Sequence, residues 1–253
     1  MNWQLILGDC LDKLQQMDDD VVDTVITSPL YNMNLRIRNG IYCSRQIVKE
    51  FSTKYNGFAD NLTMEEYFDF HKAVINQLLR VTKNYIFYVI QPITGNKRAL
   101  YKLFGEFNEH IKEVIIWNKI TGQPAMANKV MNSVFEYIIV FAKDKKNAMS
   151  RQFNDASFAW GTLNNVWSIK RQKSVSKNHS ATFPEELINN IILNFTNEND
   201  LILDPFSGTG TTGICSLKNR RRYLGIEILQ EYYDLSVERF NTIQLPLHLD
   251  TKK

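Results

Sequence analysis

Three glycines in the stretch LILDPFSGTGTTG, residues 201–213, have the spacing of a turn that binds a nucleotide-like cofactor. Gly208, Gly210 and Gly213 match the pattern G-x-G-x-x-G, and an apolar segment typical of a strand precedes them. Glycines at such a strand-to-helix turn let the backbone approach a ligand and point free N–H groups at it. Glu227 ends the next apolar segment, nineteen positions after Gly208, where a carboxylate would hold ribose hydroxyls. The pattern predicts a cofactor site, at which a Cβ on Gly208 or Gly210 would intrude on the ligand or force an unfavourable φ.

The position of this turn argues against an ordinary nicotinamide-dependent oxidoreductase. Such a sheet normally begins with its Gly-rich turn, whereas only forty residues follow Gly213 here. The remaining strands must therefore come from upstream, and we expect a circularly permuted sheet. In that sheet WQLILGD would lie on the cofactor side, and DTVITSP would be the catalytic strand.

The elements that must position these residues can be read from hydrophobic patterning and helix caps. Apolar segments predict further strands at NYIFYVI, EVIIWNK, FEYIIVFAK and RYLGIEI. The helix TMEEYFDFHKAVINQLLRVT opens with Thr63 and Glu66 in capping-box spacing. PEELINNIILNF repeats that spacing with Thr182 and Glu185, with Pro184 in its first turn. Two more helices are expected after the Gly turn and after RYLGIEI.

Composition limits the class of protein. With 253 residues, 44% hydrophobic and 23% charged, the chain can bury the core of one α/β domain with an insertion or of two small domains. We expect a single domain over residues 1–253. The sequence has neither a signal peptide nor an apolar window long enough to span a membrane, which predicts a cytoplasmic protein. Cys10, Cys43 and Cys215 are far apart and odd in number, so we expect a reduced protein with no metal site.

Basic residues are concentrated in two regions. Residues 143–177 contain eight Lys or Arg against two Asp, and residues 34–56 contain five Lys or Arg against one Glu. Neither region shows a clear period, and residues 34–62 are expected to form a long functional loop. Aromatic residues are interleaved with the basic ones, among them Trp160. The pattern is compatible with two solvated loops or with a surface that binds a nucleic acid.

Four motifs resemble those of the DNA amino-methyltransferases. TSPLYN, residues 27–32, resembles their S/D-P-P-Y motif, and DPFSGTGTT resembles their S-adenosylmethionine-binding motif. NHSATFPEELINNII and LGDCLDKL resemble two further cofactor-side motifs, and RYLGIE completes the pattern. The order, with the catalytic motif first, is similar to the permuted β-type group. Leu30 departs from the pattern, because it stands where the family usually has a second Pro.

This resemblance implies a Rossmann-like, S-adenosylmethionine-dependent methyltransferase fold, with a circularly permuted mixed sheet flanked by helices and a small inserted DNA-recognition region. The reaction it implies is methyl transfer to an exocyclic amino nitrogen of a base that is flipped out of double-stranded DNA. The catalytic candidates are the Ser28 hydroxyl and the Pro29 carbonyl as hydrogen-bond acceptors, Leu30 as an apolar wall and Tyr31 as a stacking platform.

The resemblance also assigns the binding residues. The methionine part of the cofactor would contact residues of the Gly turn: Asp204, Phe206, Ser207, Gly208, Gly210 and Thr211. Glu227 would bind the ribose, Asp9 and Cys10 would lie near the adenine, and His179 and Phe183 are further candidates. Target recognition would lie mainly in residues 143–177, with help from residues 34–62. The DNA-contacting candidates are Arg36, Arg38, Lys170, Arg171 and Lys173.

Several alternatives stay open at this point. Ser28 favours cytosine N4 as the target, because family members with Ser at this position tend to act on cytosine, while adenine N6 is the runner-up. A nicotinamide oxidoreductase and a nucleic-acid-binding protein with an inactive cofactor fold are remote alternatives. A cytosine C5 enzyme is set aside, since no Cys in the chain follows Pro. A restriction endonuclease partner and a monomeric or homodimeric state are both compatible with the sequence.

Overall fold

The computed structural model describes residues 2–32, 36–38, 41–43, 62–122, 128–172 and 183–243. Within these residues the strands are β1 (Trp3–Leu7), β2 (Thr24–Thr27), β3 (Arg36–Arg38), β4 (Ile41–Cys43), β5 (Tyr85–Ile90), β6 (Ile111–Asn118), β7 (Phe135–Ala142), β8 (Val166–Ser168), β9 (Leu201–Asp204) and β10 (Arg222–Glu227). The α-helices are α1 (Cys10–Gln15), α2 (Met64–Val81), α3 (Lys97–Glu106), α4 (Lys145–Met149), α5 (Glu185–Phe195), α6 (Thr211–Lys218) and α7 (Gln230–Asn241).

Strands from the two ends of the chain form one half of an eight-stranded sheet. The strand order is β1-β10-β9-β2-β5-β7-β6-β8, so the C-terminal strands β9 and β10 lie between the N-terminal strands β1 and β2. Neighbouring strands pair in parallel except at β7, which is antiparallel to both β5 and β6. The predicted α/β fold with a circularly permuted mixed sheet is confirmed.

Two layers of helices cover the sheet, because its central strands are apolar on both faces. In β5 all six residues are buried. Ile86, Tyr88 and Ile90 face a cluster that includes side chains of α1, α2 and α3. The alternate residues of β5 face a second cluster, which α5 and Cys215 of α6 complete. A smaller cluster joins α6 and α7 to β1 and β10.

The helix starts agree with the sequence in one case and differ in another. The capping box of α2 is present, since Thr63 and Glu66 each accept a hydrogen bond from the other's backbone N–H. Helix α5 begins at Glu185 with Pro184 at its N-cap, so the expectation that Pro184 lies in the first turn is wrong. The backbone N–H of Glu185 donates instead to the side chain of Gln172. Thr182 lies outside the described residues.

Both basic regions contain regular structure that the sequence patterns did not predict. Strands β3 and β4, within residues 34–62, form an antiparallel pair. Residues 143–177 contain α4 and also β8, which extends the main sheet by pairing in parallel with β6. Three-residue strands are too short to show a period of two, so the sequence pattern did not predict β8. None of the described helices has the length and apolar character needed to cross a membrane.

Candidate active site

The motifs meet at one edge of the sheet because parallel strands end there together. Asp204 ends β9, Glu227 ends β10 and Thr27 ends β2, and these strands are neighbours in register. The antiparallel strand β7 begins at this same edge, since Tyr137 pairs with Ile90, the last residue of β5. Ligands of open α/β sheets bind at such carboxyl ends, next to a change in strand order.

The N–H groups of two glycines in the Gly turn are used in the protein's own hydrogen bonds. The N–H of Gly208 donates to Glu227 Oε2 at 2.7 Å, and that of Gly210 donates to the Ser207 carbonyl at 2.9 Å. Ser207 Oγ lies 2.8 Å from Tyr223 Oη. The expectation that these two glycines point free N–H groups at a ligand is therefore wrong. Their amides are used to fix the shape of the turn.

Backbone conformation and packing explain the glycines of this turn. Gly208 and Gly210 have φ of 54° and 77°, which side chains with a Cβ rarely adopt. A Cβ on Gly210 would lie 2.7 Å from a ring carbon of Phe240 and 2.9 Å from Ser236 Oγ. The predicted strain in φ is confirmed for both residues. At Gly210 the close neighbours of an added Cβ belong to α7.

Side chains of helix α7 also hold the Gly turn, by hydrogen bonds to its carbonyl groups. Ser236 Oγ donates to the Gly208 carbonyl at 2.9 Å, and the Arg239 guanidinium donates to the Thr209 carbonyl. The sequence pattern did not indicate a role for Ser236. Only the packing of α7 against the turn reveals one.

Glu227 links the turn to the end of β10. Besides its bond to Gly208, its Oε1 accepts from the N–H of Leu229 at 2.9 Å. Burial raises the pKa of Glu227 to about 7, although these two N–H groups favour the ionised form. Each carboxylate oxygen keeps a further lone pair that can accept a ligand hydroxyl.

Asp204 joins the cofactor turn to the catalytic strand. Its Oδ1 accepts from the Thr27 hydroxyl at 2.7 Å and from the N–H of Phe206 at 3.1 Å. Asp204 is almost completely buried, and burial raises its pKa to about 6. Because this bond spans 177 residues of sequence, it ties the last motif of the chain directly to the first.

The other cofactor candidates, apart from His179, lie within the described residues. Asp9 caps α1 by accepting from the N–H groups of Leu11 and Asp12. Cys10 is buried in the core, and burial raises its pKa to about 12. Phe206 and Phe183 are partly buried and pack against the two core clusters. His179 falls outside the described residues.

Two buried hydroxyls at the start of α6 have no hydrogen-bond partner among the described residues. They are Thr211 Oγ1 and Thr212 Oγ1, on the first two residues of the helix, and both are inaccessible to solvent. A buried polar atom of this kind usually has a partner, so it fits a bound ligand with polar groups. No cluster of three or more His, Cys, Asp or Glu suited to a metal occurs in the described part of the chain.

The loop after β2 is fixed by hydrogen bonds from two neighbouring side chains and from its own Asn32. Tyr67 donates to the Leu30 carbonyl at 2.7 Å, and Asn96 donates to the Tyr31 carbonyl at 2.9 Å. The side-chain amide of Asn32 donates to the carbonyls of residues 62 and 95. These contacts hold the loop at the position where Leu30 replaces the usual Pro.

A buried ion pair completes this site. Ser28 Oγ donates to Tyr31 Oη at 2.9 Å, and Tyr31 Oη donates to Glu136 Oε2 at 2.6 Å. Lys119 Nζ lies 3.1 Å from Glu136 Oε1, and the Lys119 side chain is fully buried. The sequence patterns did not indicate a role for Glu136 or Lys119. The available signal was a lone Glu inside the apolar strand FEYIIVFA and a Lys directly after IIWN.

The basic region 143–177 is divided between the two ends of the strands, with one part on the side of the site and the other part on the opposite side. Lys143 follows β7, whose last residue pairs with the first residue of β5, at the edge opposite the site. Lys143 and Lys145 form ion pairs with Asp20 and Glu109. Lys170 and Arg171 are exposed and follow β8, which ends at the edge of the site.

The aromatic residues of this region have different environments. Trp167 is buried, and Phe153 and Phe158 pack against the core, whereas Trp160 is fully exposed. Their interleaving with basic residues therefore reflects core packing in three of these four positions. Lys173 lies outside the described residues. Arg36 and Arg38 are placed in β3 by their backbone alone.

Curated proteins similar to this chain are methyltransferases by name. The Type II methyltransferase M.HinfI of Haemophilus influenzae is 28% identical, over 95% of this chain and 68% of its own length. The DNA adenine methyltransferase YhdJ of Escherichia coli (strain K12) is 27% identical, over 94% of this chain and 82% of its own length.

Solved structures share the fold. The cytosine-N4-specific PvuII DNA methyltransferase superposes with a TM-score of 0.70 at 19% identity, covering 96% of this chain and 89% of its own. The M1.HpyAVI–SAM complex superposes with a TM-score of 0.60 at 20% identity, covering 94% of this chain and 99% of its own. A family model for N6/N4 methyltransferases, described as DNA methylase, matches residues 22–238. This chain carries the catalytic motif TSPLYN and the cofactor motif DPFSGTGTT of that family at the same edge of its sheet. It therefore belongs to the N6/N4 DNA methylase family.

Proposed function

We propose that this protein transfers a methyl group from S-adenosyl-L-methionine to the exocyclic N4 amino group of a cytosine in a specific double-stranded DNA sequence. The observation that carries the proposal is the hydrogen bond between Thr27 and Asp204. This bond lies at the end of β2, directly before the loop Ser28–Tyr31, and holds that end beside the Gly turn. An acceptor base and a methyl donor can therefore share one site. Proximity of this kind supplies a large part of the rate in a two-substrate reaction.

The cofactor is held by the turn after β9 and by the ends of the neighbouring strands. Thr211 offers its unpartnered hydroxyl, and Glu227 offers its remaining lone pairs to ribose hydroxyls. Asp9 and Cys10, at the end of β1, border the adenine side. When bound, S-adenosyl-L-methionine supplies a methyl group on a positively charged sulfur.

The target base is held by the loop at Ser28–Tyr31. An exocyclic amino nitrogen is a weak nucleophile, because its lone pair is delocalised into the ring. The Ser28 oxygen and the Pro29 carbonyl accept the two amino hydrogens and hold the nitrogen in line with the methyl carbon. The ring of Tyr31 stacks on the base, and its hydroxyl is fixed by Glu136.

Cytosine is favoured over adenine by Ser28 and by the fold similarity to a cytosine-N4-specific enzyme. A second candidate is adenine N6, favoured by the name of the relative YhdJ, a DNA adenine methyltransferase. Hydrogen bonding does not separate the two bases, since both present an amino group to the same acceptors.

DNA contacts are proposed for Lys170 and Arg171, which are exposed at the edge of the site. Lys173, Arg36 and Arg38 are proposed to extend this surface. Flipping the base costs a few kcal/mol, and phosphate contacts made by these residues would offset that cost. A cognate restriction endonuclease is supported by the Type II names of several relatives, such as M.HinfI.

The function is tested by expressing the protein in a host that lacks DNA methylation. Digested genomic DNA is analysed by nucleoside mass spectrometry, and methylation-aware sequencing gives the recognition sequence. N4-methylcytosine is the expected product. N6-methyladenine alone would move the assignment to the second candidate, and no modified base from a folded, cofactor-binding protein would refute the activity.

A further inference from the structure

The buried pair of Lys119 and Glu136 lies outside the four motifs and yet touches the catalytic loop. Lys119 is fully buried and Glu136 is 6% exposed. Removing two charges from water costs several kcal/mol, and an apolar pair of similar volume would often be as stable. A charged pair at this position therefore suggests a chemical role. Its contact with Tyr31 shows where that role would be exercised.

The direction of each hydrogen bond in this group is fixed by its carboxylate end. An ionised Glu136 can only accept, so the Tyr31 hydroxyl must donate its single proton to Glu136 Oε2. Tyr31 Oη is then left as an acceptor for the proton of Ser28. With its own proton committed, the Ser28 oxygen can offer only lone pairs to a base. An amino group matches this arrangement, whereas the oxo group of uracil or hypoxanthine does not.

Methyl transfer leaves the amino nitrogen with a proton to lose. Once its lone pair has formed the bond to carbon, the nitrogen is positively charged and strongly acidic. The Pro29 carbonyl is too weakly basic to keep that proton. The Ser28 hydroxyl can accept it only if it passes its own proton onward, and the chain of donors from Ser28 to Glu136 runs in that direction.

We propose that Glu136 is the final acceptor of the amino proton, which it receives through Ser28 and Tyr31. This inference rests on the proposed methyltransferase function and assigns the base of that reaction. Lys119 is a positioning residue, because its ion pair with Glu136 Oε1 orients the other carboxylate oxygen towards Tyr31.

The step balances in atoms and charge. The amino nitrogen forms a bond to the methyl carbon, while the carbon–sulfur bond breaks and its electron pair stays on sulfur. An N–H proton passes to Ser28 Oγ, the Ser28 proton to Tyr31 Oη, and the Tyr31 proton to Glu136 Oε2. The N–H electron pair returns to nitrogen as a lone pair. Both hydroxyls are restored, and the neutralisation of the positive sulfur is matched by the neutralisation of the negative Glu136.

The environment of Tyr31 is suited to relaying a proton rather than holding a charge. Burial, together with the adjacent Glu136, keeps the pKa of Tyr31 well above its usual value. A lasting phenolate is therefore disfavoured, so Tyr31 releases its own proton only as it receives one from Ser28. Of the three groups, the Glu136 carboxylate is the one whose negative charge is neutralised by the proton, so the relay ends there.

The test measures methyl transfer in a single turnover, with cofactor and duplex DNA already bound. Glu136→Gln and Tyr31→Phe should each slow this rate by about 100-fold, as expected when a general base is removed. The affinities for S-adenosyl-L-methionine and for DNA should be unchanged, because neither side chain is assigned to binding the cofactor or phosphates. The matched controls Glu113→Gln on β6 and the half-exposed Tyr101→Phe on α3 should keep the wild-type rate.

The double variant separates a relay from general damage to the site. Two members of one relay act in series, so Glu136→Gln combined with Tyr31→Phe should be no slower than the slower single variant. Multiplied effects would overturn the proposal, as would a wild-type rate in either single variant. Tyr31→Phe leaves both buried charges paired, so it decides the matter even if Glu136→Gln fails to fold. If the wild-type protein methylates DNA while these variants match it, only the relay fails, and the proposed function stands.

Discussion

Gly210 and Gly161 have almost the same backbone conformation but different surroundings. Their φ values are 77° and 74°, yet a Cβ would meet Phe240 at 2.7 Å on Gly210 and nothing within 4 Å on Gly161. Gly161→Ala should therefore cost about 1 kcal/mol of unfolding free energy, from backbone strain alone. Gly210→Ala should cost about 1–3 kcal/mol more, because α7 must move, and should weaken S-adenosyl-L-methionine binding. Urea denaturation and calorimetry measure both, and equal costs in the two variants would contradict this explanation.

Glu227 makes the stability of the cofactor site depend on pH. Burial raises its pKa from 4.5 to about 7, so between these values the folded protein holds a proton that the unfolded chain has released. Stability must then fall as pH rises through this window. Without cofactor, the wild type should lose about 2–3 kcal/mol between pH 5 and pH 8 relative to Glu227→Gln.

Denaturant titrations at several pH values measure this difference. Asp204, whose pKa burial raises to about 6, is present in both proteins and contributes to both curves. Parallel curves for the wild type and Glu227→Gln would show that residue 227 does not titrate in this range.

At the scale of elements, α7 serves as a support for the Gly turn. Ser236 is fully buried and donates to the Gly208 carbonyl. Ser236→Ala should lower the free energy of unfolding by about 1–3 kcal/mol, because it leaves the partly buried Gly208 carbonyl without its donor. The same change should reduce the affinity for S-adenosyl-L-methionine. Thr242→Ala, at the end of the same helix, removes an exposed hydroxyl-to-carbonyl bond and is the matched control. Equal effects from the two variants would count against a supporting role for α7.

At the scale of the whole molecule, the sheet separates basic residues that are close in sequence. Lys170 and Arg171 lie at the edge of the active site, whereas Lys143 and Lys145 belong to the opposite edge and pair with acidic residues. Replacing Lys170 and Arg171 by Ala should weaken DNA binding and reduce its log–log salt slope by up to about 0.9 for each phosphate that is no longer neutralised. Replacing Lys143 and Lys145 should leave the slope unchanged. The opposite pattern, measured by fluorescence anisotropy over a range of salt, would place the DNA on the other edge.

The sequence by itself determined the fold class, the permuted origin of the sheet and the family. Continuous apolar segments such as YIFYVI indicate strands buried on both faces, and the Gly turn fixes where one strand passes to a helix. Because the Gly turn comes so late in the chain, the strands of the sheet had to be drawn from upstream. These signals are local in sequence, so they can be interpreted without knowledge of the tertiary structure.

Only the tertiary structure decided which side chains meet. Tyr31 and Glu136 are 105 residues apart, and their hydrogen bond exists because the antiparallel strand β7 begins where the parallel strands end. A Glu in an apolar strand shows that a partner is required, but the identity of that partner depends on strand order and direction. The same applies to Gly210: a Gly-rich turn predicts its φ, whereas the docking of α7 decides that Phe240 leaves no room for a Cβ there. Partners distant in sequence are set by packing, which no short stretch of residues encodes.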